Sequence, residues 1–95
     1  MAANLRPTGP QPVPEPGAIL LDAGVLDRVL ALGGLATLGT YCRIVQAAQQ
    51  QTPCTPARLV AACPLDVTFL PQVLAALIAA DLVRWVDEDT EGGVA

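Results

Sequence analysis

Few side chains in this sequence can do chemistry, and their types narrow what that chemistry is. The chain has no histidine and no lysine. Its three cysteines, Cys42, Cys54 and Cys63, form no C-x-x-C, and without histidine there is no mixed zinc site. They read as free thiols, and neither a metal nor another cofactor is expected. Seven of the nine carboxylates fall at helix starts (Asp22, Asp66), at a helix end (Asp81) and in a C-terminal run of Asp87, Glu88, Asp89 and Glu91. None has a partner base, so an acid–base or nucleophilic active site has nothing to be built from, and an enzyme is not expected.

Contact chemistry is what remains. Arg43, Arg58 and Arg84 can pair with phosphates, and Thr68 and Gln72 can reach base edges, glutamine being suited to adenine. Set against these polar groups is a smooth apolar strip, Ala75, Ala76 and Ala79 with Phe69 beside it, on which another helix can lie closely. Stepping 100° per residue from Leu70 puts Thr68, Gln72, Ala75, Ala76 and Ala79 on the face furthest from the core.

The elements that must present these groups follow from periodicity and punctuation. "DAGVLDRVLALGG" reads as a helix capped by Asp22, with Val25, Leu26, Val29 and Leu30 as its apolar stripe and Gly33-Gly34 as its stop. "ATLGTYCRIVQAAQQQ" reads as a second, weakened at its start by Gly39. Thr55-Pro56 opens a short third helix, "PARLVAA", because a hydroxyl cap followed by proline suits a first turn. Pro64 ends that helix, and Asp66 caps a fourth, "VTFLPQVLAALIAAD", in which Pro71 comes late for a first turn. Leu82 to Val86 reads as a strand and "DEDTEGG" as a turn.

Helix, turn, helix and strand in this spacing resemble the winged helix-turn-helix superfamily. The resemblance runs from Ala36 to the end and is densest from Arg58 to Val83. Leu59 stands at the apolar position of the positioning helix, and Pro64-Leu65-Asp66 fills the turn. Leu70, Leu74 and Leu77 form the inward stripe of the recognition helix, and Asp81-Leu82-Val83 stands at the entry to the wing. It implies a mainly α fold of four helices and a short, reduced β-wing, with residues 1–17 as a disordered proline-rich arm. The domain would occupy 18–95, with an extra helix at 18–34 and the helix-turn-helix core and wing at 35–95. It also implies DNA-associated regulation of transcription or replication, with Arg43, Arg58, Thr68, Gln72 and Arg84 as the DNA contacts. The chain departs from the pattern where the wing carries acids in place of Arg or Lys. The same scaffold serves as a protein-interaction module, and Phe69, Ala75, Ala76 and Ala79 would then meet the partner.

Composition bears on that choice. Residues 1–17 hold five of the nine prolines, including one P-x-x-P, and little that could be buried. From Ala18 to Val86 only eight of 69 residues are charged, about half the usual share of about 25%. Apolar surface is left over once one small core is filled, which favours a homodimer, with Val25 and Val29 of the first helix as its contact residues. The uncharged apolar runs Val29–Cys42 and Val67–Ala80 are shorter than the about 20 residues a membrane span needs. No signal-peptide layout begins the chain, so a cytoplasmic protein is expected. A net charge of −4 disfavours nucleic acid at long range, so DNA and a protein partner both stay open.

Overall fold

The computed structural model describes residues 3–62 and 68–87. Among them are strand β1 (Ala3–Pro7), helix α1 (Ala23–Gln49), helix α2 (Pro56–Ala62), helix α3 (Leu70–Ala79) and strand β2 (Val83–Asp87). The expected four helices with a reduced wing give way to three helices and a two-stranded antiparallel sheet.

Two corrections account for the difference. The first concerns Gly33-Gly34: the helical run does break at Gly34, but it resumes at once, so the two expected helices are joined across a kink as α1. Asp22 caps α1 as expected, its carboxylate accepting from the Val25 amide at 3.1 Å. Gly34 then takes φ 75°, ψ −151°, a region all but reserved for glycine. Helical structure continues on its far side, so a kink is the outcome. By length and composition α1 is apolar enough to cross a membrane. Its Val29, Tyr41, Ile44 and Val45, however, are buried in the common core.

The second correction concerns the arm. Residues 3–7, expected to be disordered, form β1 and pair antiparallel with β2, Leu5 opposite Trp85 and Arg6 opposite Arg84. Among the described residues the partner of β2 is this N-terminal segment, where the resemblance implied a wing. The outer edge of β1 is also occupied: the Leu5 amide donates to the Cys54 carbonyl at 2.8 Å. In return the Cys54 amide donates to Asn4 Oδ1 at 2.9 Å. Leu5 is fully buried, and burial of a leucine contributes about 1.5–3 kcal/mol. Further along, Gln49 ties the arm to α1, donating to the Leu20 carbonyl at 2.7 Å and to Gln11 Oε1 at 3.1 Å.

Local chemistry sets the other ends. Thr55 Oγ1 accepts from the Arg58 amide at 3.3 Å, capping α2. α3 starts at Leu70, with Phe69 at its cap, so Pro71 falls in the first turn, where its missing donor costs nothing. The cap was expected at Asp66, which lies outside the described residues, as do Cys63, Pro64, Leu65 and the "DEDTEGG" turn beyond Asp87. Both α1 and α3 end in the same motif. The Thr52 amide donates to the Ala47 carbonyl at 2.8 Å, and the Leu82 amide to the Leu77 carbonyl at 3.0 Å. This closure puts Gln51 and Asp81 at left-handed φ of 59° and 60°.

Leu59, Leu70, Leu74 and Leu77 meet in one core with Leu5, Val29, Tyr41, Ile44, Val45, Cys54, Leu82 and Val83. Arg28 adds a polar tie, donating to the Ala80 carbonyl at the end of α3 at 3.2 Å, where a cation also complements the helix dipole.

Candidate functional site

With the leucines of α3 turned inward, its other side faces out. Thr68, Phe69, Gln72, Ala75 and Ala79 are exposed and Ala76 is half-buried, so the alanine strip is presented to solvent as the helical spacing requires. Phe69, Gln72, Val73 and Ala76 form one wall of a groove, and Leu32, Gly33, Ala36 and Thr37 at the bend of α1 form the other. Gly33, Ala36 and Ala76 give it a low floor. Two of its apolar lining residues project, Phe69 at 57% and Leu32 at 41% exposed, and Leu35 at the bend of α1 is 80% exposed. Such a concentration of exposed apolar side chains makes this groove the candidate contact surface.

The candidate DNA contacts are not brought to that surface together. Arg43 and Arg58 line a cleft with Gln46, Gln50 and Leu59, and Arg43 donates to Gln46 Oε1 at 3.0 Å. Arg84 lines a different hollow, with Arg6, Gln11, Ala48, Gln51 and Val86. Gln72 lies in the apolar groove, which has no arginine in its lining. Readout groups and phosphate anchors are thus divided among three places.

The proposed dimer contacts on α1 fare unequally. Val29 is fully buried in the molecule's own core and has no surface to offer. Val25 is half-buried and lines a hollow of about 470 Å³ with Tyr41, Leu21 and residues 8–12 of the arm. Trp85, on β2, is 48% exposed.

Two surface features have little signature in the sequence. Leu35 follows the glycine pair, and its exposure arises from the bend rather than from a periodic stripe. Arg6 sits in the arm, where only a lone apolar residue, Leu5, hints at a strand.

The buried thiol is shielded from chemistry by its surroundings. Burial pushes the Cys54 thiol above its ordinary value, and the charges of Arg6 and Arg58 pull it partly back. Burial likewise raises Cys42. Tyr41 is raised by burial first and then by Cys42 and Asp22, against an opposing pull from Arg28. No group of three or more metal-ligating side chains occurs among the described residues. No family model matches the chain, and neither a curated protein nor a solved structure is found to be similar to it.

Proposed function

We propose that this protein is a small self-associating interaction module whose contact surface is the groove between the bend of α1 and the exposed face of α3. The observation that carries this reading is the exposure of Phe69 and Leu32 around a floor of Gly33, Ala36 and Ala76. Large projecting side chains and a shallow depression occur on one patch. A twofold contact between two copies needs this combination, because each copy must supply both knob and hole. The low charge of the body leaves little to oppose the contact.

Sedimentation or light scattering on the full chain tests it. The expected result is a dimer at micromolar concentration. Phe69→Asp or Ala76→Arg should give a folded monomer, as both residues line the groove and lie outside the core. A monomeric parent at about 100 μM, or a dimer indifferent to both substitutions, refutes the reading.

A second reading, contact with duplex DNA, is favoured by one observation: Arg43 and Arg58 flank a common cleft. Two phosphate contacts per chain give a log–log salt slope of about −2, or about −4 for a dimer. Titration of a labelled duplex at two salt concentrations checks this, with Arg58→Ala as the control.

A further inference from the structure

Arg6 and Arg84 are placed directly opposite each other across the two-stranded sheet. Residues paired in this way project from the same face, with their Cβ atoms about 5 Å apart, and like charges so placed repel. The arrangement is costlier than a surface repulsion because Arg6 is partly covered. Its Nη1 is buried and has no hydrogen-bond partner among the described residues. A guanidinium with donors cut off from water and from protein acceptors is destabilising unless something else meets them. Both arginines line one hollow of about 350 Å³, whose remaining walls include Gln11 and Gln51. That volume is at the small end of ligand sites and exceeds the need of a single ordered water.

We infer that the hollow between Arg6 and Arg84 is a binding site for a doubly charged phosphate-type oxyanion, inorganic phosphate or a small phosphomonoester. Two guanidinium forks offer ten N–H donors and a charge of two, which a dianion neutralises and a monocarboxylate does not. A dianion between them turns the cross-strand repulsion into two attractions. Adjusting the terminal torsions of Arg6 brings its orphaned nitrogen to the ligand. The site shares no lining residue with the groove proposed for self-association, so each stands or falls separately.

Thermal unfolding of the full chain, followed by circular dichroism at constant ionic strength, tests the site. Inorganic phosphate should raise the midpoint saturably, by about 6–10 °C at ten times its dissociation constant. Arg84 is exposed, so Arg84→Gln should fold. It should raise the midpoint in the absence of phosphate, by removing the repulsion, and abolish the phosphate-dependent rise. Arg43→Gln, outside the hollow, should keep that rise. Phenyl phosphate in place of inorganic phosphate distinguishes the two sources, the tighter binder being the one the site is shaped for. A rise that never saturates, that sulfate and phosphate share equally and that Arg84→Gln leaves intact is general salt stabilisation and overturns the inference.

Discussion

Replacing Leu5 by alanine asks whether the N-terminal segment is part of the folded protein or a tail attached to it. Leu5 is 0% exposed and belongs to the same core as Ile44, Leu77 and Val83. Three carbon positions are removed, at about 0.8 kcal/mol each, so the transfer loss is about 2.4 kcal/mol. The cavity left behind adds to it, and about 3–4 kcal/mol is expected in all. Domains of this kind are stable by about 5–15 kcal/mol, so this is a large share. With a urea dependence of about 1 kcal/mol/M for a small protein, the unfolding midpoint should fall by about 3 M. Val13→Ala is the matched control, at a residue 81% exposed in the same arm, and should stay within about 0.5 kcal/mol of the parent. Should Leu5→Ala also stay within that margin at unchanged slope, β1 is not held in the fold, and the Arg6–Arg84 pairing goes with it.

The remaining predictions concern charge and association. Stability should be level near neutral pH and fall in alkali. Cys54, Cys42 and Tyr41 are all raised in the folded state. Their contribution is therefore complete below the unfolded values of about 8.5 and 10 and is lost as pH climbs through the higher folded ones. Urea midpoints measured from pH 7 to 11 check this, and a flat profile contradicts it. Phe69→Asp and Ala76→Arg should each halve the solution mass at little cost in stability, read by light scattering and by urea unfolding of the same samples. Arg84→Gln should raise the midpoint without phosphate and remove the response to it.

Much of this architecture could be read from residue order, and the parts that could not share a physical cause. Asp22, Thr55 and the leucine spacing of α3 act locally: a cap, a first-turn proline and an inward stripe depend on neighbours within a turn or two. Those expectations agree with the structure, and the outward alanine strip followed from them. Gly33-Gly34 also acts locally, but glycine permits both a stop and a bend, and tertiary packing of Val29 on one side and Ile44 on the other selects the bend. β1 was illegible because its stabilising contacts lie far away in the chain. Cys54 is 50 residues from Asn4, and Arg84 meets Arg6 only through strand register. Five residues ending in proline, with one apolar side chain, carry no alternation from which such a partner could be inferred. The same gap hid the paired arginines, and it led Val29, a core residue, to be offered as surface.

The bend in α1 links the fold to the proposed contact, and a backbone substitution there has a counterpart of opposite sign at the end of α3. Gly34 has φ 75° and ψ −151°, and a Cβ added there meets no atom within 4 Å. Steric overlap with neighbours is thus excluded, and Gly34→Ala should cost about 1–3 kcal/mol through backbone conformation alone. Asp81 is the reverse case, an L-residue held at φ 60° at the position where a helix end most often has glycine. Asp81→Gly relieves that strain, offset in part by the greater freedom of glycine in the unfolded chain, and should stabilise by about 0.5–1 kcal/mol. Paired urea titrations read both. The first variant carries the functional consequence, because the groove has Leu32 and Gly33 before the bend and Ala36 and Thr37 after it. Straightening the helix would separate them, so Gly34→Ala should weaken self-association more than its stability loss accounts for. A variant as stable as the parent and equally dimeric would mean that α1 is not bent at Gly34 and that the groove is not the contact.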